Sequence, residues 1–153
     1  MLIAALLVNA DNIRCHDPAS SKKRVIESLS HLLAKKTVNV KADEIFQALF
    51  DRERLGSTGL GRGVAIPHAR ISGITRTVAA MITLETPVKY EAIDKQPIDI
   101  AFALLVPEGE GEHHLEHLAL LADLFHNEAI CRQIRAATQP EQIFDLLLTL
   151  DDA

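Results

Sequence analysis

Tryptophan is absent from this chain and tyrosine occurs once. A core built here must therefore come mainly from Leu, Ile, Val and Ala rather than from stacked aromatics. Cysteine is nearly absent too. Cys15 and Cys131 stand far apart with no CxxC spacing, which excludes a disulfide scaffold and suits a reducing compartment. No basic run of five residues occurs; Lys22, Lys23 and Arg24 form only a short cluster at an expected helix start. With a net charge of -5, the chain lacks the basic footprint of a nucleic-acid binder. Nor does any stretch approach the ~20 apolar residues of a membrane span. The apolar opening Met1 to Val8 lacks the basic n-region of a signal peptide, so it is expected as a short helix or strand packed on the domain. These exclusions point to a cytoplasmic protein without membrane insertion.

What is present suits one domain over residues 1–153, large enough to bury roughly 70% of its unfolded surface. Hydrophobic residues make up 48% and charged residues 24%, the balance of a globular fold. Ser20 or Ser21 can cap a helix to about Lys36, with Val25, Ile26, Leu29, Leu32 and Leu33 on one face. A second helix is expected from about Lys41 to Leu55, with Ile45, Ala48, Leu49 and Arg52 at helical spacing. Short strands are expected at Val64–His68, ended by Pro67, and at Val78–Leu84. A nearly unbroken apolar run, Ile98–Val106, suits a strand covered on both faces. Three helices should follow. The first runs from Glu112 to Phe125 with Leu115, Leu118, Ala119, Ala122 and Phe125 in a stripe. The second is capped by Asn127, and the third opens at a Thr138-x-x-Glu141 capping box. Helices before and after a set of strands indicate an α/β sandwich.

Three clusters could carry chemistry. Four of the seven glycines fall in Gly56-Ser57-Thr58-Gly59-Leu60-Gly61-Arg62-Gly63. A Walker loop would need lysine and a hydroxyl residue where Arg62 and Gly63 stand, and would follow a strand rather than a helix. The glycines permit positive φ and so imply a flexible loop. His113-x-x-Glu116-His117 matches the HxxEH pattern of a zinc peptidase, but only 36 residues follow in which to find a third ligand. Exposed histidines on a solvated face are the simpler reading of His113 and His117. The third cluster is His68, delivered by Ile66-Pro67 to a surface cleft with its backbone restrained by the proline. Neutral imidazole is a good nucleophile near pH 7, because its ordinary pKa is about 6.5.

Ordered blocks then add a resemblance. Ser21-Lys22-Lys23-Arg24, Arg52-Glu53-Arg54-Leu55-Gly56-Ser57-Thr58-Gly59 and Gly63-Val64-Ala65-Ile66-Pro67-His68 are followed by Leu84-Glu85-Thr86-Pro87-Val88 and Ala92-Ile93-Asp94-x-Gln96-Pro97-Ile98-Asp99. Phe102-Ala103-Leu104-Leu105-Val106-Pro107 and His114-Leu115 complete the series. Over about residues 12 to 150 the chain resembles enzyme IIA of the fructose/mannitol type, and within it the nitrogen-regulatory enzyme IIA.

The resemblance implies an α/β fold with a mixed β-sheet flanked by helices on both faces. It also implies a phosphocarrier of the phosphoenolpyruvate-dependent phosphotransferase system, working without cofactor or metal. His68 matches the histidine phosphorylated on Nε2, and His114 the second histidine that supports the phosphoryl group. Arg52 and Thr58 match positions around the active site, with Ser57 and Gly59 supporting the phosphoryl loop. The implied donor is an HPr-like phosphocarrier protein. Implied recipients are regulated target proteins or, in a sugar-uptake version, a IIB component. Two positions depart from the family pattern: Ala69 replaces a glycine, and Arg62 stands where nitrogen-regulatory members often have asparagine.

Overall fold

The structure is a computed structural model that describes residues 3–109 and 113–151, the side chains of residues 113–115 excepted. Its centre is the apolar run expected from the sequence. Strand β6 (Ile98–Pro107) is buried along almost its whole length, and β5 (Val78–Val88) pairs with it antiparallel. β1 (Ile13–Asp17) joins β5 in parallel. On the other side of β6 lie β3 (Val64–Ala65) and β4 (His68–Ile71), both parallel to it, and β2 (Gly59–Gly61) closes that edge antiparallel to β3. The sheet order is β1-β5-β6-β3-β2, and the sheet is mixed.

Alternation along the central strands makes two cores. Met81, Phe102, Leu104 and Val106 face one layer, which contains α1 (Ile3–Leu7), α4 (His113–Phe125), α5 (Glu128–Ala136) and α6 (Pro140–Asp151). Ala80, Ile82, Ala103 and Leu105 face the other, against α2 (Lys22–Ala34) and α3 (Ala42–Leu55). Helices thus cover both faces, as the residue blocks implied. The apolar opening folds as α1, and Asp151 from the last turn of α6 accepts the Ile3 and Ala4 amides at 3.1 and 2.9 Å.

Local chemistry sets the helix starts. The Ser21 hydroxyl accepts the Arg24 amide, and Asn127 Oδ1 accepts from Ala129 and Ile130. The last helix departs from expectation. Pro140 takes its first position, so Gln142 rather than Glu141 reaches back, accepting the Thr138 and Gln139 amides at 2.8 and 3.0 Å.

Other expectations are corrected. Pro67 interrupts a strand without ending it: Val64 pairs Ile100, Ala65 pairs Ala101, and His68 resumes opposite Leu104 in the same register. Part of the glycine stretch is strand β2 rather than loop, and β1 alternates only briefly, with Ile13 and Cys15 toward the core and Arg14 and His16 exposed. β5 runs on past Leu84 to Val88, across a register shift that leaves Glu85 to Pro87 exposed. On α4 the buried stripe is His117, Leu121 and Phe125, while Ala119 is exposed. Leucines stand on nearly every side of that helix, so packing, not periodicity, chose the seam. His117 is therefore buried, not solvated.

Phe102 lies at 0% exposure in the centre of β6, with its ring 6.0 Å from that of Phe125. Replacing it with alanine should cost about 3–5 kcal/mol of stability. Leu55→Ala, at a residue 85% exposed, should change stability by less than about 0.5 kcal/mol. Urea unfolding of the two variants beside wild type tests the assignment; similar midpoints would contradict the packing described.

Candidate functional site

His68 opens β4 and is half-buried. Its Nδ1 lies 2.8 Å from the Ile66 carbonyl oxygen. A carbonyl can only accept, so Nδ1 carries the ring proton and the neutral ring keeps its lone pair on Nε2. The carbonyl itself is held. Pro67 fixes the following φ and its own carbonyl accepts the Leu104 amide at 2.9 Å. On the other side, the Ile66 amide donates to the Thr58 carbonyl at 3.0 Å. Thr58 and His68 are thus joined through one residue.

The turn from α3 into β2 brings the other sequence-named residues to the same place. Arg52, in the last turn of α3, donates from Nη1 to the Gly56 carbonyl at 2.9 Å. Ser57 Oγ donates to the Tyr90 carbonyl at 3.2 Å and accepts the Gly59 amide at 3.1 Å. Gly59 is needed for space: a Cβ there would lie 2.6 Å from Ala92 Cβ. Thr58 is buried, and both its hydroxyl and its amide donate to the Glu53 carboxylate. In this arrangement the hydroxyls of Ser57 and Thr58 fasten the turn. The family resemblance sets Thr58 around the active site and Ser57 in support of the phosphoryl loop. The side chain of His114 lies outside the described residues; its backbone is in the first turn of α4.

The two departures from the family pattern are both accommodated. Ala69 packs into the core beneath α2 and α3. Arg62 occupies the β2–β3 turn at φ 58°, a left-handed conformation in which asparagine is favoured among non-glycine residues. Its amide donates to Asp94 at 2.8 Å, and its guanidinium lies 3.6 Å from Glu128. That turn is the closed end of the hairpin; Thr58 and Ile66 are at the open end, toward His68.

Residues 6–149 match the family model for the phosphoenolpyruvate-dependent sugar phosphotransferase system, EIIA 2. The chain belongs to that family. It is 39% identical over 142 residues to the nitrogen regulatory protein of Klebsiella oxytoca, spanning 92% of this chain and 87% of that one. The crystal structure of nitrogen regulatory protein IIA-Ntr from Neisseria meningitidis matches with a TM-score of 0.88 at 36% identity, over 95% of this chain and 98% of that one. The Escherichia coli enzyme IIA-mannitol, solved in complex with phosphorylated enzyme IIB-mannitol, matches with a TM-score of 0.77 over 92% of this chain and 96% of that one. At 20% identity that last likeness is one of fold.

Sequence reasoning missed three residues that the structure gathers at this turn. Glu53 is 7% exposed and is the hub of the turn. Besides Thr58, its carboxylate accepts the Tyr90 hydroxyl at 2.9 Å and pairs with Lys22 Nζ at 2.9 Å. Lys22 also lies 4.5 Å over the Tyr90 ring. A signal was available: Ile45, Leu49 and Glu53 repeat every four residues, which puts one charge on the buried stripe of α3. A carboxylate at such a position must have donors around it.

Burial, then the neighbouring Glu53 charge, raises the Tyr90 phenol far above its ordinary value. Folded protein therefore keeps this proton at pH values where unfolded chain, titrating near ~10, has lost it. Stability from this group is intact below pH ~10 and falls as pH rises further. Because Tyr90 is the only tyrosine, tyrosinate absorbance reads it alone. In an alkaline titration the signal should appear together with loss of helical circular dichroism. A separate titration near pH ~10, with the fold intact, would contradict the Tyr90–Glu53 bond.

Proposed function

We propose that Nε2 of His68 accepts a phosphoryl group from an HPr-like phosphocarrier protein, and that the phosphorylation state governs binding to regulated partner proteins in the cytoplasm. The observation that carries this reading is the Nδ1–Ile66 hydrogen bond, which leaves the nucleophilic lone pair on the other nitrogen. Family membership and the 39% identity to a nitrogen regulatory protein support the regulatory role. In this reading residues 1–153 are one EIIA unit, and among the described residues no helix is long and apolar enough to cross a membrane.

In the transfer, the Nε2 lone pair forms the new N–P bond while the N–P bond of the donor phosphohistidine breaks. The donor imidazole keeps that electron pair. The phosphorylated His68 ring gains positive character, and the Ile66 carbonyl facing Nδ1–H stabilises it. Such a step asks the protein mainly to position groups and to offset charge on three phosphoryl oxygens. Arg52, with one N–H bond to the Gly56 carbonyl, can turn its fork toward that charge, and His114 is assigned the supporting role beside it. A sugar-uptake role would instead pass the phosphoryl group to a IIB component, as the mannitol-type complex suggests. Supplying a IIB partner to the phosphorylated protein separates the two.

The test uses enzyme I, an HPr-like protein and phosphoenolpyruvate as donor mix, with intact mass measured in alkali, where phosphohistidine survives. Wild type should gain one phosphoryl group and His68→Ala none. Arg52→Lys keeps the charge and loses the fork; its transfer should slow on the order of tenfold, about 1.4 kcal/mol, with little change in melting temperature. Label retained by His68→Ala would move the site elsewhere.

A further inference from the structure

We propose that Glu53 is a positioning residue for His68: through Thr58 and Ile66 it fixes which ring nitrogen carries the proton, and so which one is available for transfer. This rests on the phosphocarrier reading only for its consequence; the proton placement stands by itself.

The path is continuous. The Glu53 carboxylate takes the amide of Thr58, with its two oxygens each 3.3 Å away, and the Thr58 hydroxyl as well. Both ends of Thr58 are then committed, because its carbonyl accepts the Ile66 amide at 3.0 Å. With its amide tethered and Pro67 behind it, Ile66 has little freedom to rotate its carbonyl. That oxygen meets His68 Nδ1 at 2.8 Å.

A second contact reaches the same residue, the Tyr90 hydroxyl oxygen lying 3.3 Å from that of Thr58, while the Thr58 amide goes to Glu53. Arg52 holds the Gly56 carbonyl, upstream of Thr58, and Ser57 bridges the Tyr90 carbonyl and the Gly59 amide. Glu53 is itself immobilised by Lys22 from the start of α2 and by Tyr90 beyond β5. Three separate elements therefore bear on a carboxylate that touches neither His68 nor any reacting atom. A buried anion with that many donors is an anchor whose loss leaves Thr58 free to tilt. When Thr58 tilts, the Ile66 carbonyl turns away from Nδ1, and the ring can take its proton on Nε2 instead. Nε2 then has no lone pair for phosphorus.

The direct readout is the nitrogen-15 chemical shifts of the His68 ring in unphosphorylated full-length protein. The spectra are recorded on the alkaline side of the ring's own titration, followed by the same shifts, so that the ring is neutral. Wild type should show a protonated Nδ1 and an unprotonated Nε2. Glu53→Gln and Thr58→Val should both shift protonation toward Nε2 and slow transfer by roughly ten- to a hundredfold. Thr58→Ser, which restores the hydroxyl, should return both readings toward wild type. Melting curves establish that each variant is folded. If Glu53→Gln does not fold, Thr58→Val decides, since it leaves the Glu53 bonds to Lys22 and Tyr90 in place. A wild-type shift pattern in folded Glu53→Gln and Thr58→Val would overturn the proposal, however transfer responds. Altered shifts in a protein that accepts no phosphoryl group would support it and defeat the phosphocarrier reading instead.

Discussion

A backbone carbonyl has no proton to give, and from that constraint the chemistry of His68 follows. Facing the Ile66 oxygen at 2.8 Å, Nδ1 must be the protonated nitrogen, and Nε2 must hold the lone pair. In the proposed transfer the same contact serves again, because a fixed dipole lies against a ring of positive character. Backbone bonds on either side restrain that carbonyl, from the Ile66 amide to Thr58 and from the Leu104 amide to Pro67. The parallel ladder to β6 stops for Ile66 and Pro67 and resumes at His68 without losing register. The interruption gives Ile66 a carbonyl free of the ladder, while the long buried strand β6 holds the backbone on either side.

Why an acidic side chain should sit in the middle of this arrangement is a question of solvation. Glu53 has left water, a cost that only dense hydrogen bonding offsets. It gathers donors from α2, the α3–β2 turn and Tyr90, so removing any one of them leaves charge exposed to an apolar surrounding. That requirement ties the turn to α2 and to Tyr90, the one tyrosine of the chain. Ala92 pressed against Gly59 adds a steric wall on the outer side.

Much of this was legible in the sequence. The α2, α3 and α5 patterns, the buried run of β6 and the residue blocks leading to His68 gave the architecture and the family, because helical periodicity and long apolar runs are local signals. β1, β2 and β4 were not legible. They are short, lie at or near a sheet edge, and exist because β5 and β6 offer them partners, a non-local cause. The α4 seam was misread because its leucines give no preferred side, so His117 was placed in solvent when it is buried. At the site, the named residues Arg52, Ser57, Thr58 and Gly59 do gather at one turn. What the sequence could not disclose is the direction of their hydroxyls, which depends on Glu53, Tyr90 and Lys22 arriving from three separate elements.

The central claim is that protein geometry selects Nε2 of His68 as the phosphoryl acceptor. It is tested most directly by locating phosphorus on the ring of the phosphorylated protein through nitrogen-15 to phosphorus-31 scalar coupling. The account predicts coupling to Nε2 of His68, with Nδ1 still protonated against the Ile66 carbonyl. Coupling to Nδ1, or to any other histidine, would contradict it.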